Sequence, residues 1–112
     1  MNTALALKRL DSLSAAPRLD IYRLLMRHAP DGLVAGDIAS QLGIAANTAS
    51  FHLKNLQHSG LIAATAEGRF LRYRAQLDAM SALVGFLTEQ CCQGQPARCG
   101  LPATPPCSET PT

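Results

Sequence analysis

Two short stretches with helical spacing of apolar residues, separated by one glycine, constrain the fold of this chain most strongly. Residues 35–42 carry apolar side chains at helical intervals, and Gly43 follows them directly. Glycine readily adopts the positive φ at which many helices end. A second helix is predicted over residues 46–58, and Ser59-Gly60 ends it. Two short helices joined by a glycine-containing turn predict a helix-turn-helix unit.

The period of the apolar residues changes directly after this unit. Residues 61–65 and 70–74 are predicted strands, and the Glu-Gly pair at 67–68 forms the tight turn between them. Side chains alternate between the two faces of a strand, which places Leu71 and Tyr73 together on one face. The segment is therefore predicted to be a β-hairpin that follows the helix-turn-helix as a wing.

Three further helices are predicted. The first covers residues 3–13, the second runs from Pro17 to about His28, and the last covers residues 77–91. The apolar positions of the first helix are Leu5, Leu10 and Leu13, and the inward positions of the second are Ile21, Leu24 and Leu25. The last helix has the apolar spacing of a helix that packs on a partner helix, at Leu77, Met80, Val84, Leu87 and Cys91. The predicted fold class is mainly α, in an α+β arrangement with a two-stranded β-hairpin wing.

Composition limits the chain to one folded domain. It has 112 residues, 47% of them hydrophobic, and a domain of this size gains stability from burial against a second copy. Because prolines concentrate near the end, residues 1–92 are predicted to fold and residues 93–112 to form a flexible tail. No apolar stretch is long enough to cross a membrane. The expected location is the reducing cytoplasm, where cysteines remain thiols.

The second helix of the helix-turn-helix unit has two distinct faces. Ala49, Leu53 and Leu56 fall together on a helical wheel and form the core face. The opposite face carries Asn47, Ser50, Phe51 and Lys54. Asn and Ser hydrogen bond to base edges, Phe contacts the thymine methyl group and Lys neutralises phosphate. An outward Phe is unfavourable on an ordinary solvated helix, which favours the interpretation of this face as a DNA-reading surface.

Two further groups of residues lie beside this surface. His52 is near the edge of the core face, so it is either a structural hydrogen-bond donor or a phosphate contact. Arg69 and Arg72 of the wing are placed to reach phosphates or a minor groove, although clustered arginines also suit a solvated strand. Each phosphate contact should steepen the salt dependence of binding by about 0.9 in log–log slope.

The helix-turn-helix and the wing together resemble the ArsR/SmtB family of metal-responsive repressors. The resemblance is carried by residues 35–44 (AGDIASQLGI), 47–56 (NTASFHLKNL), 59–62 (SGLI) and 67–73 (EGRFLRY), and it extends over roughly residues 5–92. It implies a winged-helix homodimer that is joined through its first and last helices. It also implies binding to double-stranded operator DNA and autoregulation of a resistance operon.

The start of the recognition helix departs from the family pattern. Many members have Ser-Gln-Pro-Thr where this chain has Ala45-Ala46-Asn47-Thr48. The change removes a Ser N-cap and a Gln able to read adenine, so the resemblance predicts DNA binding but not the operator sequence. The predicted DNA contacts are Asn47, Thr48, Ser50, Phe51, His52, Lys54, Arg69 and Arg72.

The candidate sensing residues are the four cysteines, all of which follow residue 90: Cys91, Cys92, Cys99 and Cys107. The Cys-Val-Cys motif of many arsenic repressors and the Cys-X-X-His pattern of zinc and cadmium sensors are both missing around residues 34–38. The cluster is similar to a smaller branch of the family, whose arsenite site uses a vicinal cysteine pair and a later cysteine. The predicted ligands are Cys91, Cys92 and Cys99, with Cys107 as the alternative third ligand.

The chemistry of thiolates fits this interpretation. Three thiolates in a pyramid satisfy As(III) or Sb(III), and soft ligands select soft ions. Adjacent helical residues point about 100° apart, so Cys91 and Cys92 face one ion only where the helix ends, near Gly94 and Pro96. Metalloid capture there would reshape the end of the predicted dimer helix and oppose DNA binding.

Three alternatives use the same cysteines. Zinc or cadmium would need a fourth ligand, which Cys107 provides. A disulfide between two of the cysteines would make a redox switch, although only Arg98 lies near in sequence to promote a thiolate. A thiol-dependent enzyme such as an arsenate reductase would need a phosphate-cradling loop, and none surrounds these cysteines. No catalytic constellation is visible elsewhere, so the protein is not predicted to be an enzyme.

Overall fold

The computed structural model of the protein describes residues 1–89, which form five helices and three strands. In chain order these are α1 (Thr3–Ser12), α2 (Ala16–Arg27), β1 (Leu33–Val34), α3 (Ala35–Leu42), α4 (Ala46–His58), β2 (Ile62–Glu67), β3 (Phe70–Ala75) and α5 (Leu77–Thr88). All predicted helices are present, and α3 and α4 have the predicted boundaries. The predicted extension of the last helix to Cys91 lies outside the described residues.

The three strands form one antiparallel sheet in the order β1-β3-β2. β2 and β3 are the predicted hairpin, and their pairing extends from Ile62 opposite Ala75 to Glu67 opposite Phe70. The two residues of β1 pair along the other edge of β3, with Leu33 opposite Tyr73. The winged helix-turn-helix prediction is therefore confirmed, and the structure adds a third strand to the predicted two-stranded wing.

The core lies where α2, α3 and α4 meet the sheet. Its most deeply buried apolar residues are Ile21, Leu24, Leu25, Ile38, Leu53, Leu56, Leu61 and Ile62. The predicted inward residues of α2 and the core face of α4 are all buried. Full burial of one such side chain contributes about 1.5–3 kcal/mol. Burial also raises the pKa of Tyr22 to about 12, so its hydroxyl stays protonated at neutral pH.

The helix α1 buries small side chains rather than its leucines. Ala6 and Ser12 are the buried residues of this helix, whereas Leu10 is 39% exposed and Leu7 is 61% exposed. In the single chain, α1 therefore presents these two leucines to the outside.

The wing extends past the core at its tip. Leu71 and Tyr73 share a strand face as predicted, but Tyr73 is buried and Leu71 is 46% exposed. The difference arises because β3 passes from the core, at Ala75, towards the turn at residues 67–69, where no helix covers it.

Candidate nucleic-acid interface

The turn between α3 and α4 is held by backbone geometry. Gly43 adopts φ 67° and ψ 34°, the left-handed conformation predicted from its position. The amide of Ile44 donates to the carbonyl oxygen of Ala39 at 3.1 Å, and the amide of Gly43 donates to that of Ser40 at 3.3 Å. These hydrogen bonds satisfy carbonyl oxygens at the C-terminal end of α3, and they define the direction in which α4 leaves the turn.

The structure separates the two faces of α4 as the helical wheel predicts. Ala49, Leu53 and Leu56 are buried, with at most 1% of each exposed. Five of the predicted DNA contacts are exposed on this helix: Asn47, Thr48, Ser50, Phe51 and Lys54. Phe51 is 66% exposed, so the free protein gains little hydrophobic stabilisation from burying this aromatic ring. The exposed face therefore combines hydrogen-bonding groups, one cation and one apolar ring.

His52 lies at the border between these faces. It is half-buried, and its ring meets the Phe51 ring edge-on, with 5.4 Å between centroids and 70° between planes. Its Nδ1 atom is buried and has no hydrogen-bond partner within residues 1–89. The ring of His52 therefore lies beside the exposed ring of Phe51, at the edge of the candidate DNA-reading face.

The N-terminus of α4 has no side-chain cap. Ala45 occupies the N-cap position with extended backbone angles, and no side chain of the described residues accepts a hydrogen bond there. This agrees with the expected consequence of losing the family's serine. The amides of the first turn consequently remain open to solvent.

The wing arginines differ from one another in their surroundings. Arg69 is exposed at the tip and makes no side-chain hydrogen bond within the described part of the chain. Arg72 is half-buried, and its Nε lies 2.9 Å from both carboxylate oxygens of Glu67, while its Nη1 donates to the Gly32 carbonyl oxygen at 3.2 Å. Arg74 donates from Nη1 to the Thr65 hydroxyl at 3.0 Å. The pairing of Glu67 was not predicted, although the register of a hairpin brings such diagonal neighbours together.

The polar contacts between α1 and α4 were also not predicted from the sequence. The Ser12 hydroxyl donates to Asn55 Oδ1 at 2.7 Å. Arg9 donates from Nε to the Ser59 carbonyl oxygen at 2.9 Å, at the C-terminal end of α4, and its Nη1 lies 3.5 Å from the Ala79 carbonyl oxygen of α5. Periodicity gives no signal for such contacts, because a serine and an arginine within a helix usually face solvent. They connect the candidate DNA-reading helix to both outer helices.

The predicted metal ligands Cys91, Cys92 and Cys99, and the alternative Cys107, lie outside the described residues. Among residues 1–89, no three His, Cys, Asp or Glu side chains are close enough to hold a metal ion. In the same part of the chain, none of the helices has the length and apolar character needed to span a membrane.

The fold and the exposed face of α4 define a protein of the winged helix-turn-helix class. A family model described as a helix-turn-helix domain matches residues 13–64. A comparison with curated proteins gives no match. Among solved structures, an ArsR-like transcriptional regulator from Rhodococcus sp. RHA1 is 28% identical, with a TM-score of 0.67 over 75% of this chain and 76% of that one.

Two other solved structures are similar over most of their length. The homodimeric winged helix-turn-helix DNA-binding domain of Mb0332 from Mycobacterium bovis, a possible ArsR-family transcriptional regulator, is 26% identical, with a TM-score of 0.63 over 80% of this chain and 83% of that one. HlyU from Vibrio cholerae N16961 is 25% identical, with a TM-score of 0.62 over 82% of this chain and 97% of that one. Together these similarities show a helix-turn-helix domain and the fold of ArsR-like transcription regulators.

Proposed function

We propose that the protein is a transcriptional repressor that responds to As(III) or Sb(III). It binds operator DNA as a homodimer and dissociates when Cys91, Cys92 and Cys99 bind the metalloid. The DNA-binding part of this proposal is supported by the exposed face of α4. There Phe51 lies beside hydrogen-bonding side chains, on a helix whose other face is fully buried. Its proposed location is the cytoplasm, where its cysteines stay reduced.

DNA recognition is assigned to α4 in the major groove. Asn47, Thr48 and Ser50 supply hydrogen bonds to base edges or the sugar-phosphate backbone, Phe51 contacts a thymine methyl group and Lys54 pairs with phosphate. In this proposal the Phe51 ring is supported by His52. Arg69 and Arg72 contact phosphates or the adjacent minor groove from the wing.

Dimerisation is assigned to α1 and α5, which contact each other within the chain. Leu7 and Leu10 of α1, and Val84 and Leu87 of α5, are exposed apolar residues. Exposed apolar side chains gathered on two touching helices are typical of a protein-protein interface. The homodimeric state of the similar Mycobacterium bovis domain supports the same arrangement here.

Sensing is assigned to the cysteines that follow α5 in sequence. Three soft thiolates match the three-coordinate preference of trivalent arsenic and antimony. Cys91 comes three positions after Thr88, the last residue of α5, so the proposed site adjoins the proposed dimer helix. A hundredfold loss of DNA affinity requires a coupling free energy of about 2.7 kcal/mol between the two sites.

Arsenite is expected to release the wild-type protein from DNA, whereas Cys91→Ser and Cys92→Ser proteins should bind DNA with unchanged affinity and resist release. The reason is that each substitution removes one of the three thiolates but leaves the DNA-binding surface intact. The measurement is fluorescence anisotropy of a labelled duplex, selected by this protein from a random-sequence pool, titrated with arsenite under reducing conditions. Cys107→Ser tests the alternative third ligand and should respond as the wild type does if Cys99 is the third ligand, as proposed.

Two results would contradict the sensing assignment. One is a wild-type protein that keeps its DNA affinity while saturated with arsenite. The other is a Cys91→Ser protein that still responds fully.

A redox switch is the second candidate function. It is favoured by the similarity to HlyU from Vibrio cholerae N16961 in its reduced form, which is 25% identical with a TM-score of 0.62 over 82% of this chain and 94% of that one. Release of DNA by peroxide, together with indifference to arsenite, would favour this function over metalloid sensing. A response to zinc or cadmium that depends on Cys107 would instead favour a four-thiolate metal site.

Phe51→Ala is expected to weaken binding to the selected duplex by roughly fivefold to 150-fold, which corresponds to the loss of about 1–3 kcal/mol of base discrimination. Because the ring is 66% exposed, the free energy of unfolding should change by less than about 0.5 kcal/mol. Anisotropy titrations and urea unfolding test the two parts. Leu19→Ala on α2, another exposed apolar truncation, is the control and should leave DNA affinity unchanged.

A further inference from the structure

We infer that Glu67 acts as an internal competitor of DNA phosphate in the wing, because it holds Arg72 and Arg74 in the free protein. On binding, phosphate would replace the carboxylate as the partner of these arginines. Glu67 is thus a residue that lowers DNA affinity and reduces its dependence on salt. The inference rests on the proposed DNA-binding function and is independent of what the cysteines sense.

The geometry places one carboxylate between two arginines. Glu67 ends β2, and Arg72 lies diagonally across the hairpin, since residue 65 pairs with residue 72. The Arg72 Nε lies 2.9 Å from each Glu67 oxygen, and the Arg74 Nη2 lies 3.7 Å from one of them. One negative charge therefore offsets two neighbouring positive charges on the same face of the wing.

The arrangement lets a phosphate take the place of the carboxylate. The side chains of Arg72 and Glu67 are 30% and 41% exposed, so solvent and an approaching anion reach the pair. Exposed ion pairs contribute little to stability, which means that little is lost when the pair opens. The hydrogen bond from Arg72 to the Gly32 carbonyl oxygen uses a different nitrogen, so it keeps the guanidinium in position during the exchange.

The exchange has a consequence for ion release. An arginine that contacts phosphate displaces a condensed cation from the DNA, but a carboxylate freed at the same moment attracts a cation from solution. The two effects oppose each other in the wild type. Without the charge of Glu67, no cation uptake opposes the release of cations from the DNA, and the salt dependence of binding should become steeper.

Glu67→Gln is expected to tighten DNA binding about threefold to fivefold, because it removes an exposed charge interaction of ordinary strength. The slope of log affinity against log salt should steepen by up to about 0.9. Both effects should appear on the selected duplex and on an unrelated duplex, since phosphate is common to both. The measurement is anisotropy over a range of salt concentrations.

Asp20→Asn is the matched control, since Asp20 is exposed on α2 and forms no ion pair within residues 1–89. It changes the net charge by the same amount and should alter affinity much less than Glu67→Gln. In an Arg72→Gln background, most of the gain from Glu67→Gln should disappear. Weaker or unchanged binding by Glu67→Gln, an equal gain in Asp20→Asn, or a full gain without Arg72 would each overturn the inference. Failure of the wild type to bind any duplex would instead contradict the DNA-binding function itself.

Discussion

Gly32→Ala is expected to destabilise the protein by about 2–6 kcal/mol, the sum of a strained backbone and an overpacked contact. Gly32 is buried at a φ of +78°, where L side chains are rarely found. A Cβ atom at this position would overlap the carbonyl oxygen of Tyr73 and lie 2.8 Å from Cγ of Arg74. Because the main obstacle is backbone of β3, a shift of side chains does not relieve it. The loss should also disturb the attachment of β1 to the wing.

Substitutions at two other glycines distinguish the effect of backbone strain from the effect of steric overlap. Gly43 has a φ of +67° with open space around its Cβ position, so Gly43→Ala should lose only about 1–2 kcal/mol. Gly36 lies in α3 with open space and no positive φ, so Gly36→Ala should stabilise the protein by up to about 1 kcal/mol. Urea unfolding at one protein concentration measures all three. A Gly32→Ala protein no less stable than Gly43→Ala would contradict the expected overlap.

The helix-turn-helix was the most predictable part of the molecule. The boundaries of α3 and α4 follow from apolar periodicity and from the left-handed Gly43, both of which act over a few neighbouring residues. β1 was missed because its two residues have no period of their own and are defined by pairing with β3. The partner of Arg72 was missed for a related reason, since it depends on the register of the hairpin.

Side-chain orientation and long-range contacts explain what the sequence did not reveal about the candidate site. Exposure of Phe51 followed from the helical wheel, but its contact with His52 required the position of that ring. The bond between Ser12 and Asn55 joins residues 43 positions apart, and no local pattern indicates it. The prediction for the cysteines is different in kind, because Cys91 and its neighbours lie outside the described residues and the assignment still depends on sequence and chemistry.

The contacts of α1 have a consequence for regulation under the proposed function. Arg9 and Ser12 join α1 to the last turns of α4, and Arg9 also approaches a carbonyl of α5. If α1 and α5 form the subunit interface, each DNA-reading helix is tied to that interface by polar contacts with defined geometry. A change in how the two subunits pack would then move α4 as well. Because the proposed metalloid ligands follow α5 in the sequence, these contacts offer a physical connection between metalloid binding and DNA affinity under the proposed function.

Leu87→Asp is expected to convert the proposed dimer to monomers and to lower affinity for the selected duplex by at least about a hundredfold. A leucine buried on association contributes about 1.5–3 kcal/mol, and a two-fold interface contains each substituted position twice. The introduced carboxylate adds the penalty of burying an unpaired charge. Each monomer then holds only one half-site, so the loss of the partner appears directly in DNA affinity.

The stability of the isolated subunit should change little, because Leu87 is 56% exposed in the single chain. Leu19→Asp is the matched control: Leu19 is 40% exposed but lies on α2, away from the proposed interface. It should remain dimeric and bind DNA as the wild type does. Sedimentation equilibrium measures the oligomeric state and anisotropy measures the affinity. A Leu87→Asp protein that stays dimeric and keeps its DNA affinity would show that the exposed Leu87 of α5 serves another purpose. The proposed connection from the cysteines through α5 to α4 would then lose its basis.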